Sequence, residues 1–421
     1  MTTISEQYVN QGSRPADLKI TDMRVVNLKG VVRATLIRID TNQGISGYGE
    51  VRDMASPTYV LMLKSRILGE NPCNVDKVFR KIKQFGYHAR QAGGVCAIEM
   101  ALMDLAGKAY GVPAYMLAGG KFRDKILCYS DTPSEPDGKA MGKRLKERMN
   151  QGFKFLKMDL GIYMLRNIPG TLIGFPDNID SFHIMHPFTG TQITAKGIDV
   201  LCQYVADVRT VIGYEVPLAI DHFGHIGLES CIRLGQALDP FSLAWYEDMI
   251  PWQFTDQYVT LSRAVKTPIC TGEDIYLKEG FMPLFQERAV SVIHPDLASA
   301  GGILETKKIG DLAQEHGIAM AMHMAGSPIA ALAAVHCAAA TENFLVLENH
   351  SVDHPEWNDF VRGLPNPLIQ DGYIQVPETP GLGFSDVNAE MLRAHIDPDR
   401  PGYFEPTTEW DNEKSWDRLW S

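Results

Sequence analysis

Three carboxylates, Asp221, Glu247 and Glu273, close three successive short apolar runs, VPLAID, LAWYE and TPICTGE. If those runs are neighbouring strands, the three carboxylates converge on one rim, where like charges repel unless a cation neutralises them. An all-oxygen donor set with room left for water and substrate favours Mg²⁺. Taken singly, each carboxylate could equally cap the following helix or pair with a lysine; the common register is what points to a metal. The next two runs, VSVIHPD and GIAMAMHM, bring Asp296 and His323. A carboxylate on an adjacent strand can hold an imidazole N–H, fixing the tautomer and raising the basicity of the other nitrogen. A lone histidine in an apolar run is more often structural, and only the neighbouring carboxylates make His323 a candidate base. Before the first carboxylate, FKFLKMD places Lys157 and Asp159 two residues apart, so both side chains leave the strand on one side. FLVLENH supplies Glu348, and DHFGH supplies His225 as a further candidate for substrate contact.

These groups need a scaffold that presents strand ends together. From about Lys125 onward eight apolar runs recur, from KILCYS to FLVLENH, each followed by a helix-like stretch. Continuous apolar strands alternating with helices imply parallel pairing, and eight such units predict a (β/α)₈ barrel with its chemistry at the strand C-termini. An open doubly wound sheet is the competing architecture, but no glycine fingerprint follows the early strands. Ahead of the barrel, Lys19–Leu28 and Ala34–Thr41 read as strands. Val95–Tyr110 reads as a helix stopped by Gly111-Val-Pro113. The expected organisation is an α+β capping domain over 1–124, a barrel over 125–365, and a segment over 366–421 that returns to the cap. One connection, 161–197, is long and Pro/Gly/Thr-rich and carries His183 and His186. With the loop near Arg52 it would cover the active face and select a polyhydroxy substrate, or else form a quaternary contact.

The 421 residues carry 40 basic and 51 acidic side chains, a formal net charge of −11, which excludes a generic nucleic-acid binder. No apolar stretch reaches the ~18 residues of a membrane span, and no basic-then-apolar leader opens the chain. The 7 cysteines are scattered singly, as expected of reduced thiols in a cytoplasmic protein.

In their order along successive strands, these motifs resemble the enolase superfamily, specifically the mandelate racemase subgroup with its acid-sugar dehydratases. The resemblance implies Mg²⁺ held by Asp221, Glu247 and Glu273, an Asp296–His323 dyad, and Glu348 hydrogen-bonded to the substrate carboxylate, donating if protonated. It also implies a small-molecule carboxylate as partner and a homo-oligomer. The muconate-lactonizing branch offers a lysine where Asp296 stands. A two-base racemase carries Lys-x-Lys on strand two; here the residues are Lys157-Met158-Asp159. With one good base left, the expected reaction is Mg²⁺-dependent dehydration of an aldonate or aldarate to a 2-keto-3-deoxy acid. His323 would take the α-proton and return it to the departing hydroxyl. The alternatives are a 2-hydroxy-acid racemase or epimerase, a muconate-type cycloisomerase, or a binding protein that has lost activity.

Overall fold

The computed structural model describes residues 13–87, 89–175, 189–221 and 226–416. Strands β1 (Ile20–Asn27), β2 (Thr35–Thr41) and β3 (Ser46–Val51) form an antiparallel sheet, with Val25 opposite Ile37 and Arg38 opposite Tyr48. The helix Gly93–Tyr110 lies on this sheet with every residue buried except Lys108 and Tyr110. Its close approach depends on two glycines of β3: a Cβ at Gly49 would stand 1.9 Å from the Ala97 carbonyl oxygen, and one at Gly47 2.3 Å from that of Ala101. The helix ends where Gly111 turns left-handed at φ 72°.

The barrel strands are β4 (Lys125–Ser130) and β5 (Leu156–Asp159), then, after a small hairpin β6 (Leu172–Ile173) and β7 (Gln192–Ile193), β8 (Leu218–Asp221), β9 (Tyr246–Glu247) and β10 (Ile269–Thr271). The series continues with β11 (Val292–Ile293), β12 (Ala319–Met322) and β13 (Phe344–Asn349). All eight apolar runs are therefore strands. They pair in parallel from β5 through β8 round to β13 and on to β4. The circuit closes where β5 lies against β4; among the described residues no ladder bonds join those two.

Inside the ring a small apolar layer, separate from the main core, is built by Tyr129, Phe155, Ala219, Trp245, Cys270, Val292, Ala321 and Val346. Phe155 and Trp245 stack with centroids 4.8 Å apart. Side chains alternate along a strand, so residues two further on project to the same interior. In order these are Asp131, Lys157, Asp221, Glu247, Gly272, His294, His323 and Glu348. The polar ring is thus one layer above an aromatic floor, set by the period of the strand.

After the barrel, β14 (Val361–Arg362), β15 (Ile369–Gln370), β16 (Tyr373–Gln375) and β17 (Asp386–Val387) follow. β16 adds antiparallel to β4, with Ile374 opposite Ile126. Beyond them the chain reaches the cap: Phe404 N–H donates to the Val25 carbonyl, and Lys64 donates to the Thr407 carbonyl at 3.1 Å. Two cap carboxylates bind barrel helices at their N-termini. Glu50 accepts from Ser327 N and Ala330 N, and Glu99 accepts from Ile303 N at 2.6 Å and Leu304 N at 3.0 Å. Burial outweighs these donors and pushes Glu50 up to about 7 and Glu99 up to about 8. Among the described residues no helix is long and apolar enough to cross a membrane.

Candidate active site

The polar ring is an electrostatic network. Lys157 Nζ lies 2.7 Å from Asp221, 2.8 Å from Glu348 and 3.5 Å from Glu247, with all four side chains buried. Burial opposes the ammonium charge, but the three carboxylates outweigh it and hold the lysine pKa well above its usual value. Glu348 shows the reciprocal effect. Burial raises its pKa, yet Lys157 and His350 keep it well below the carboxylate range, which favours its ionised, accepting form.

On the opposite side, His323 Nδ1 lies 2.6 Å from Asp296 Oδ2, and a parallel bridge pairs the two residues in the backbone. The dyad has a third member. Arg52, carried by the cap and only 1% exposed at its side chain, places Nη1 2.7 Å from Asp296 Oδ2 and 3.2 Å from His323 Nδ1. The same guanidinium reaches Glu273 at 3.3 Å, and Arg90 reaches it at 3.0 Å. Glu273 is half-buried; desolvation works against its charge, but His323, Arg52 and Arg90 hold its pKa below the usual range.

The carboxylates do not gather as the spacing alone suggests. Asp221, Glu247 and Asp248 each offer an oxygen within 4.8 Å of the other two, whereas Glu273 faces the two arginines and His323. Asp248 comes from a conformational exception: its φ of 46° is left-handed, so it does not follow the alternation that would turn it away from Glu247. Burial, then repulsion from Glu273, Asp221 and Glu247, raises its pKa well above normal. Asp221 and Glu247 are buried and Asp248 half-buried, and an all-oxygen set of three carboxylates fits a hard divalent cation. His294 is a further residue that the sequence does not single out. Its Nδ1 is 2.7 Å from Glu247 Oε1 and its Nε2 is 2.8 Å from the Tyr129 hydroxyl. Burial disfavours its charge, but Glu247 and Glu348 outweigh that and raise its pKa to about 9. Its signal was its place two residues past the floor residue Val292.

Asp159 is half-buried at the rim and pairs in register with Asp221. His225, His183 and His186 lie outside the described residues. In the described part of the insert, the Tyr163 hydroxyl is 3.1 Å from Ser134 Oγ, and Arg166 lies over the Phe175 ring. Beside Asp248 and Glu273 a cavity of about 760 Å³ opens, bordered by Trp252, Tyr276 and the cap residue Tyr87.

Comparison with known proteins agrees with this geometry. Residues 13–119 match the mandelate racemase / muconate lactonizing enzyme N-terminal domain, and 140–388 match the enolase C-terminal domain-like family. The chain is 32% identical to a D-xylonate dehydratase of Haloferax volcanii, over 90% of this chain and 89% of that protein. It is 26% identical to a D-galactonate dehydratase of Ralstonia pickettii, over 87% and 91%. A crystal structure of a mandelate racemase/muconate lactonizing enzyme-like protein from Rubrobacter xylanophilus superposes with a TM-score of 0.80 at 31% identity, covering 92% of this chain and 99% of that one. With cap and barrel both in place, the chain is an enzyme of the enolase superfamily, belonging to its mandelate racemase subgroup and resembling the acid-sugar dehydratases there.

Proposed function

We propose that this enzyme is a Mg²⁺-dependent hydro-lyase that converts an aldonate or aldarate to its 2-keto-3-deoxy acid. The observation that carries this reading is the inequality of the two sides of the ring. His323 is backed by Asp296 at 2.6 Å, whereas Lys157 is fixed as an ammonium ion between Asp221 and Glu348. Inverting an α-carbon needs a competent base on each face; dehydration needs one. The relatives named for D-xylonate and D-galactonate support an aldonate as the substrate class.

Asp221 and Glu247, with Glu273 as expected from sequence or with the adjacent Asp248, would hold Mg²⁺. Bound there, the ion supplies Lewis-acid polarisation of the substrate carboxylate and so acidifies the α-C–H. Lys157 adds a fixed positive charge beside the carboxylate oxygens where negative charge develops. His323 Nε2 removes the α-proton; Asp296 accepts from His323 Nδ1–H and is itself held by Arg52, which keeps the imidazole oriented. The β-C–O bond then breaks, its oxygen leaving as water with one added proton, and the enol tautomerises to the keto acid. Asp159 and His225 contact substrate hydroxyls in this reading, within the partition 1–124, 125–365 and 366–421 and a homo-oligomeric assembly.

A panel of aldonates and aldarates with Mg²⁺, assayed for 2-keto-3-deoxy acid, tests the proposal. Keto acid from at least one member is the expected result. Deuterium from D₂O in recovered substrate of inverted configuration, with no keto acid from any member, would replace the dehydratase with an epimerase.

A further inference from the structure

A second imidazole stands beside the base, with no role in the chemistry so far. His350 follows Glu348 by two residues, so it rises from the same side of β13, one layer nearer the mouth. Its ring centroid is 5.2 Å from that of His323, and the two rings meet edge to face. One nitrogen of His323, one of His350 and one oxygen of Glu348 all lie within 4.8 Å of one another. We propose that His350 is the acid that protonates the departing β-hydroxyl, leaving His323 the base alone. This inference rests on the dehydratase reading and deepens it.

Three observations support it. First, the spacing suits two adjacent carbons. Nitrogens this close can address an α-hydrogen and a β-oxygen on one face of the substrate, the arrangement a syn elimination requires. Second, the two imidazoles have different partners. His323 is held through Nδ1 by Asp296, with Arg52 3.2 Å from that nitrogen, and its Nε2 lies 3.3 Å from Glu273. His350 instead stands between two carboxylates, Nε2 3.5 Å from Glu348 Oε1 and Nδ1 3.5 Å from Asp131 Oδ2. Burial works against its charge, but Glu348 and then Asp131 raise its pKa to about 9, so it enters the cycle protonated. Third, the His350 side chain is 33% exposed, which lets it recover a proton from water.

The step balances. The α-C–H bond breaks, its proton goes to His323, and the electron pair forms the new C=C bond. The β-C–O bond breaks and its oxygen leaves as water with the His350 proton. His323 then releases one proton to solvent and His350 takes one up, so no external reactant is consumed. A single histidine serving both roles would need no such reset.

The test uses the full-length enzyme with Mg²⁺ in D₂O and the aldonate it dehydrates fastest, from a panel that includes D-xylonate and D-galactonate. His350→Asn is expected to lower keto-acid formation by roughly 10²- to 10⁴-fold. Deuterium should still enter C2 of the recovered substrate, because the base is intact. A 3-deoxy-3-fluoro analogue should still release fluoride at close to the wild-type rate, since fluoride leaves without a proton. His350→Gln should behave alike, with melting temperature and Mg²⁺ affinity unchanged in both. Wild-type rates of keto-acid formation in both variants would overturn the assignment. So would loss of deuterium uptake and fluoride release together with dehydration, which marks a positioning role. No keto acid from wild type with any aldonate would overturn the dehydratase reading itself, and the acid assignment with it.

Discussion

At the scale of single residues, most groups of the ring hold charge in place, and His323 is the one proposed to take a proton from the substrate. Glu247 is fully buried, receives the Trp245 indole N–H at 2.8 Å and touches His294 and Lys157. Glu247→Gln removes one anionic donor without changing shape, and Mg²⁺ affinity should fall by at least about 10-fold with the fold retained. Isothermal titration calorimetry reads this directly, and full activity at limiting Mg²⁺ would remove Glu247 from the ligand set. His323→Asn should lower turnover by roughly 10²- to 10⁴-fold while Mg²⁺ and substrate still bind. Asp296→Asn should cost less, because the imidazole survives with poorer orientation. If His323→Asn keeps its rate, the base lies elsewhere. The strand-end groups Asp221, Glu247, Asp296 and His323 could be found in the sequence because an apolar run stops where the barrel opens. Asp248 could not, since only its left-handed backbone brings it beside Glu247. Sequence places Arg52 only in a covering loop and gives Arg90 no role; no local pattern shows that a cap arginine meets carboxylates 183 to 244 residues further on.

At the scale of elements, strand identity was the most readable property. Most barrel-strand residues are buried on both faces, so the strands spell largely apolar runs rather than alternating ones. The cap strands alternate, and the observed Ile20–Asn27 and Thr35–Thr41 fall within the expected Lys19–Leu28 and Ala34–Thr41. The tight seat of the cap helix was not readable, because a glycine in a strand signals close approach without naming its partner. Gly49→Ala makes that seat measurable. The added methyl would lie 1.9 Å from the Ala97 carbonyl oxygen, backbone that cannot yield without lifting the whole helix. A loss of about 1–3 kcal/mol or more in chemical denaturation is expected. An unchanged midpoint would mean that the sheet and helix separate easily at this point.

At the scale of the whole molecule, cap and barrel are joined by buried carboxyls whose ionisation depends on pH. Glu99 has a folded pKa of about 8, raised by burial above its ordinary value near 4.5, so the folded state holds its proton more tightly than the unfolded chain does. The resulting stabilisation is complete below about pH 4.5 and is lost as pH rises through about 8, with roughly 3–5 kcal/mol at stake for a shift of this size. Glu99→Gln stays neutral throughout, so its stability should fall less than that of wild type between pH 5 and 9. Parallel denaturation curves for the two proteins across that range would show that Glu99 does not titrate there. The cap also settles a charge balance that the barrel leaves open. Glu273, Asp274 and Asp296 project from barrel segments, yet the guanidinium groups that face them, Arg52 and Arg90, both belong to the cap. A cap lacking arginine at these two positions could match every apolar contact and still leave three acidic groups facing one another without these cations, so the barrel's charge is completed by a part it does not itself contain.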